Sequence, residues 1–175
     1  MGEFMRRATS HLVLVLLAVV LVASPMRLLA QDNVSESGDE RRTVNIEFIV
    51  DSSGSMAGVT DTGEIRVDAA KSVLSEVVNA IPDSEGINVG LRVYGHKGDN
   101  SESSRALSCD ASDLVVPVKG VDKGALQAQV ASLLPTGWTP IGESLNRAAA
   151  DFPDAKSDAV NAIVVLTDGI ETCDG

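Results

Sequence analysis

The sequence of 175 residues predicts an α/β fold with a doubly wound, mostly parallel sheet. Short, strongly apolar segments alternate along the chain with segments whose apolar residues recur every three to four positions, which is the spacing of an amphipathic helix. Two acids, Asp51 and Asp168, directly follow the first and the last apolar segments. Because parallel strands point the same way, we expect both acids at one edge of the sheet, where such folds bind ligands.

The first part of the chain is expected to precede the folded domain. Residues 1–4 stand before a second methionine and are interpreted as a cloning remnant. Residues 5–30 have the organisation of a signal peptide, with two early arginines, an unbroken apolar run of 12 residues, and Ala30 before the expected cleavage site. That run is shorter than the roughly 20 residues that cross a membrane. An uncleaved anchor and a twin-arginine signal stay open as alternatives.

Residues 31–42 are polar and contain no aromatic residue, which is typical of a disordered linker. The domain is therefore expected to cover residues 43–175, and the leader predicts a secreted, periplasmic or cell-surface protein. Export also predicts a disulfide between Cys109 and Cys173. The first of these cysteines precedes a strand that should start at the ligand edge, and the second follows a strand that ends there.

The chain is acidic, with a formal charge of −11. Loss of residues 1–30 would remove three arginines and one glutamate and bring the charge to −13. Such a surface argues against nucleic acid or an anionic membrane as a partner. It is compatible with cation binding, although solubility alone accounts for most of the acidity.

The first half of the domain predicts two strands around one helix. Residues 44–50 are rich in Val, Ile and Phe and form the first strand. Residues 66–81 carry apolar residues at helical spacing and end at Pro82. Residues 88–94 alternate like a second strand, and a polar loop follows.

The second half predicts two more strands and two helices. The strands are expected at residues 113–118 and 159–167. One helix is closed by Pro135, and its apolar positions are Leu126, Val130, Leu133 and Leu134. In the other helix Thr139 is placed as the N-cap and Pro140 at the first position, and the apolar positions are Ile141, Leu145, Ala148 and Phe152.

Three segments place oxygen-bearing side chains at the ends of these elements. The D-x-S-x-S motif of residues 51–55 ends the first strand, Thr139 begins a helix, and Asp168 follows the last strand. Taken singly, each has a simpler explanation, since serines and threonines cap helices and an acid before glycine forms turns. Their joint occurrence in this order argues against coincidence.

Together the segments D-S-S-G-S, G-W-T and T-D-G resemble the von Willebrand factor type A domain and its metal-ion-dependent adhesion site. The stretches Y-G-H at 94–96, S-C-D at 108–110, G-W-T-P at 137–140 and T-D-G at 167–169 also resemble secreted bacterial members of that family. The resemblance covers about residues 43–175. It implies a Rossmann-like sheet with strand order 3-2-1-4-5-6, so that a chain with four strands would be C-terminally truncated after the fourth.

The resemblance also implies a ligand set for Mg²⁺, with Mn²⁺ or Ca²⁺ as alternatives. Hydroxyls of Ser53, Ser55 and Thr139 would coordinate the ion. Asp51 and Asp168 would act through water or through hydrogen bonds to the serines. Mg²⁺ prefers six oxygen ligands, and hydroxyl oxygens suit it. Little negative charge would then lie on the ion, which would seek an acidic group from outside.

The implied function is an exported, metal-dependent protein-binding module whose partner protein supplies an Asp or Glu carboxylate. An enzyme is not expected. Ser53 stands where an aspartyl phosphatase needs its second acid, and Ser144 lies within a helix without the glycines of a nucleophile elbow. Two alternatives stay open: an interaction subunit of a larger ATPase or cation-handling complex, and a scaffold of this fold without metal-dependent binding.

Overall fold

Four strands form one sheet in the order β3-β2-β1-β4 in the computed structural model of the protein, which describes residues 42–152 and 159–173. The strands are β1 (Val44–Asp51), β2 (Ile87–Tyr94), β3 (Ser112–Val116) and β4 (Val160–Leu166). β1 pairs in parallel with β2 and with β4, whereas β3 is antiparallel to β2. The predicted mostly parallel sheet is confirmed. The cloning remnant, the signal peptide and all but Arg42 of the linker lie outside the described residues.

Four helices connect or flank these strands: α1 (Arg66–Ala80), α2 (Arg105–Cys109), α3 (Lys123–Ser132) and α4 (Ile141–Ala148). Short 3-10 turns occupy Gly54–Ala57 and Glu102–Ser104. The segment expected as a polar loop contains α2, and α4 ends before Phe152, which was expected within it. In the described part of the chain, no helix has the length and apolarity needed to cross a membrane.

The prediction that Thr139 caps α4 is wrong. The N-cap position belongs to Pro140, and no side chain caps the helix. Contacts far along the chain hold Thr139 outside the helix, because its N–H donates to Thr172 Oγ1 at 2.9 Å and its carbonyl accepts from the Thr172 N–H at 3.1 Å. The Thr139 hydroxyl is therefore not used by the helix.

Helices cover both faces of the sheet, as the doubly wound fold requires. On one face, apolar residues of β1 and β2 pack against α1 and α3; the buried set includes Phe48, Val50, Val89, Leu91, Leu74, Val78, Leu126 and Val130. On the other face, Ile49 and Tyr94 pack with Ala148 and Ile141 of α4. Burial of this apolar surface is the main stabilising term of the fold.

β4 lies next to β1, as expected, and forms an edge of the sheet. Its apolar side chains are 37–46% exposed at Val160, Ile163, Val164 and Val165. Within the described ranges, no strand pairs with its outer side. A nearly continuous apolar sequence is typical of a parallel strand that is buried on both faces. The sequence of β4 is therefore more apolar than its half-exposed edge position in this structure would require.

A buried ionic cluster lies on the α4 face of the sheet. Arg92 Nε donates to Glu47 Oε1 and to Asp151 Oδ2, each at 3.1 Å, and its Nη1 donates to the Ser112 carbonyl at 2.7 Å. Glu47 is fully buried. Burial, followed by the charge of Asp151, raises the pKa of Glu47 to about 7, although Arg92 opposes the shift.

This shift predicts a pH-dependent stability. The folded protein holds the Glu47 proton more tightly than the unfolded chain does, so the free energy of unfolding should fall as pH rises from 4.5 to about 7. Glu47→Gln cannot titrate and should lack this component. We expect the difference in unfolding free energy between variant and wild type to change by about 1–3 kcal/mol across that window. Urea denaturation at pH 4.5 and pH 8 measures it, and equal pH dependence in both proteins would contradict the assignment.

Cys109 and Cys173 form a disulfide with a Cα–Cα distance of 5.5 Å, which confirms the predicted pairing. The bond joins the end of α2 to the segment that follows β4, across a sequence separation of 64. Residues 167–173, which include Asp168, are thereby fixed at both ends.

Loss of this bond should destabilise the protein. In the chain-entropy model, a loop of this length contributes about 4 kcal/mol. The double variant Cys109→Ser/Cys173→Ser should therefore unfold at lower urea concentration, as followed by circular dichroism, and with an equal or steeper slope, because the unfolded chain without the cross-link exposes at least as much surface. Thiol titration of oxidised, denatured wild type should find no free thiol, and two titratable thiols would contradict the pairing.

Candidate metal-ion site

The Asp51 carboxylate joins the ends of two neighbouring strands. It is fully buried at the end of β1. Its Oδ1 accepts a hydrogen bond from the Ser53 N–H at 2.7 Å, and its Oδ2 accepts one from Thr167 Oγ1 at 2.8 Å. Asp51 therefore shapes the loop after β1 and at the same time holds the residue that follows β4.

The two serines of the motif continue this network toward the surface. Ser53 Oγ and Ser55 Oγ lie 2.9 Å apart, and Ser55 Oγ donates to Asp168 Oδ1 at 2.8 Å. Each acid thus holds one serine: Asp51 fixes the backbone of Ser53, and Asp168 fixes the hydroxyl of Ser55. The hydroxyl oxygens keep lone pairs that can accept a cation.

Thr139 reaches the same place through backbone pairing between distant loops. Ser53 and Gly137 form an isolated parallel bridge, and the Gly54 N–H donates to the Gly137 carbonyl at 2.8 Å. Thr172, which follows Asp168 in the next loop, is bonded to Thr139 on the other side. Thr139 is therefore clamped between the two loops that carry the serines and the second acid.

Gly169 marks the point at which these groups meet. A Cβ atom built on Gly169 would lie 3.6 Å from Ser55 Oγ, 3.7 Å from Thr139 Cγ2 and 3.8 Å from Asp51 Oδ2. With the contacts above, the structure brings together all five predicted residues: Asp51, Ser53, Ser55, Thr139 and Asp168. They lie beside a depression of about 430 Å³ whose lining includes Ser55, Thr139 and Asp168.

The chemistry of this donor set fits a small, hard cation. Three hydroxyls and two carboxylates offer only oxygen, which Mg²⁺, Mn²⁺ and Ca²⁺ prefer. In residues 42–152 and 159–173, no group of three or more His, Cys, Asp or Glu side chains is arranged to hold a metal. A cation at this edge would therefore need the hydroxyls as well as the two acids.

Tyr94 is a site neighbour that the sequence analysis did not identify. It pairs in register with Asp51 on the adjacent strand and is fully buried. Its hydroxyl has no hydrogen-bond partner in the described part of the chain. Burial, followed by the Asp51 carboxylate, raises the pKa of Tyr94 above its ordinary value. The phenol therefore stays neutral beneath the site.

Arg66 is a second neighbour that was missed. Its Nη1 donates to Asp168 Oδ2 and, at 3.3 Å, to the Ser55 carbonyl. The sequence did carry a weak signal, because Arg66 is the first residue of α1. The helix dipole disfavours a cation at that end. A basic residue at this position therefore suggests that a nearby acid compensates for the unfavourable charge.

A second D-x-S-x-S sequence, at Asp99, Ser101 and Ser103, reproduces the local geometry of the first. Asp99 Oδ1 accepts from the Ser101 N–H at 2.9 Å, and Ser101 Oγ lies 3.0 Å from Ser103 Oγ. Ser103, unlike Ser55, has no hydrogen bond to a carboxylate among the described residues. The D-x-S-x-S motif therefore determines the shape of its own loop. The five-residue site also needs Thr139 and Asp168, which come from distant segments.

Comparison with known proteins identifies the domain. Residues 46–171 match the von Willebrand factor type A domain family. Two Bacillus subtilis (strain 168) proteins, both uncharacterised, are relatives. YwmD is 32% identical over 159 residues, which are 91% of this chain and 66% of YwmD. YwmC is 32% identical over 137 residues, or 78% of this chain and 59% of YwmC. The chain thus spans about two thirds or less of either relative.

Solved structures share the fold. The von Willebrand factor domain of the type V pili tip protein Mfa5 from Porphyromonas gingivalis superposes with a TM-score of 0.57 at 18% identity, covering 74% of this chain and 39% of that one. The pilus adhesin SpaC from Lactobacillus rhamnosus GG gives 0.58 at 24% identity, covering 76% and 16%. On the match over residues 46–171, this chain belongs to the von Willebrand factor type A domain family.

Proposed function

We propose that this domain binds one divalent cation, Mg²⁺ or in its place Mn²⁺ or Ca²⁺, and through it an acidic group of a partner protein. Ser53, Ser55 and Thr139 would supply the direct ligands. Asp51 and Asp168 would orient the serines and hold bound water. The ion would supply an electrophilic centre that an Asp or Glu carboxylate of the partner completes. The function is binding and not catalysis.

The proposal rests mainly on the hydrogen bonds that the two acids already accept from the protein. Both oxygens of Asp51 accept hydrogen bonds from the protein, and so do both oxygens of Asp168. The Ser55 hydroxyl lies between the Ser53 hydroxyl and Asp168, so a cation bound by the hydroxyls would meet mostly neutral ligands. Such an ion keeps more of its charge for an anionic group from outside.

Two further observations favour an interaction module outside the cytosol. The chain has a disulfide, which persists in oxidising compartments. The proteins that share its fold include a pili tip protein and a pilus adhesin. Both observations support the proposal that the domain acts at the cell surface, in the periplasm or in the medium, with a protein as its partner.

Titration with Mn²⁺ by calorimetry tests the cation site. Wild type should bind one ion, and Asp51→Ala should show no measurable binding, because Ser53 and Thr167 both lose their anchor. Asp99→Ala is the matched control, since it removes the acid of the second D-x-S-x-S sequence and should bind as wild type does.

A second variant, Thr139→Val, tests the site in case Asp51→Ala loses binding only because it fails to fold. The substitution keeps the shape of the side chain, and in the described residues the Thr139 hydroxyl makes no hydrogen bond that would be lost. We expect unchanged thermal stability without metal and at least about tenfold weaker Mn²⁺ binding, equivalent to about 1.4 kcal/mol. Equal affinity in wild type, Asp51→Ala and Thr139→Val would overturn the site and favour a scaffold without metal-dependent binding.

A further inference from the structure

We propose that Arg66 sets the charge balance of the site, so that a cation binds weakly alone and more firmly once an external carboxylate joins it. The inference rests on the proposed function and deepens it. It makes Arg66 a positioning residue that couples the cation to its acidic ligand.

The contacts of Arg66 place a fixed positive charge on the second acid. Its Nη1 bonds to Asp168 Oδ2, while Asp168 Oδ1 accepts from Ser55 Oγ at 2.8 Å. The same Nη1 donates to the Ser55 carbonyl at 3.3 Å. One guanidinium therefore contacts both a proposed ligand residue and the acid that orients it, and it pairs with the charge of that acid.

The preceding loop is shaped to hold the guanidinium in this position. A Cβ on Gly58 would lie 3.2 Å from both Cζ and Nη1 of Arg66. The Arg66 N–H donates to the Gly58 carbonyl at 2.9 Å, and an antiparallel bridge between Val59 and Ile65 closes the loop. The backbone of Arg66 is thus hydrogen-bonded to Gly58, and the absence of a side chain at Gly58 leaves room for the guanidinium.

The hydrogen bonds of Arg66 to Asp168 and Ser55 use only Nη1. Its side chain is 38% exposed and lines the depression together with Ser55, Thr139 and Asp168. In the described part of the chain, Nε and Nη2 make no hydrogen bond. Among the described residues that line that depression, Arg66 is the only Lys or Arg. An incoming carboxylate would meet both the ion and the Arg66 guanidinium there.

These placements predict opposite effects on the cation and on its acidic ligand. A charge of +1 beside a divalent ion repels it, and the repulsion is partly screened at an exposed site. The same charge attracts a carboxylate. By linkage, a carboxylate that binds better with the ion present must also tighten the ion.

The test compares Arg66→Gln, Arg66→Lys and wild type by Mn²⁺ calorimetry in chloride and in acetate at equal ionic strength. In chloride, Arg66→Gln should bind Mn²⁺ about fivefold to tenfold more tightly than wild type. In acetate, wild type should gain affinity, and Arg66→Gln should gain much less. Arg66→Lys keeps the charge and should follow wild type.

The outcomes separate the two proposals. If wild type binds no Mn²⁺, the cation site itself fails. If wild type binds Mn²⁺ and loses it in Asp51→Ala, but Arg66→Gln binds it equally or more weakly in chloride, the site stands and the charge role of Arg66 is overturned. An acetate gain that is the same in wild type and Arg66→Gln would also overturn that role.

Discussion

The buried carboxylate of Asp51 ties together two strand ends that are 116 residues apart in the sequence. One of its oxygens fixes the loop after β1, and the other holds Thr167 at the end of β4. A buried carboxylate is costly unless hydrogen bonds satisfy it. Asp51 meets that requirement only when both strand ends are in place, so the pairing of β1 with β4 and the geometry of the site depend on each other.

The network that results joins hydroxyls to two acids. Both oxygens of each acid accept hydrogen bonds, and Arg66 pairs with Asp168. The loop after β4 is held in several places, by the disulfide at Cys173, by the bonds of Thr172 to Thr139, and by Glu171, which accepts from the N–H groups of Gly142 and Cys173 at 2.8 and 2.6 Å. These contacts fix the loop that carries Asp168.

Much of the fold and the five residues of the candidate site were predictable because they rest on local sequence patterns. Alternation of apolar strands with amphipathic helices predicts a mostly parallel sheet, and the parallel strands β1 and β4 bring Asp51 and Asp168 to one edge. The position of Thr139 relative to α4 was not predictable in the same way. Its sequence context is that of a helix cap, and only the distant Thr172 moves it out of that role. Arg66 was missed because its partner lies 102 residues away.

The proposed site requires that three hydroxyls hold a divalent cation beside two hydrogen-bonded acids. Anomalous scattering from a crystal of the protein grown with Mn²⁺ tests this most directly. A cation held by these hydroxyls should give one strong peak near the Oγ atoms of Ser53 and Ser55 and Thr139 Oγ1, at about the 2.1 Å typical of Mg²⁺ ligands. A peak at the Asp99 loop with none at the hydroxyls, or a peak bound directly by Asp168 in place of Ser55, would contradict it.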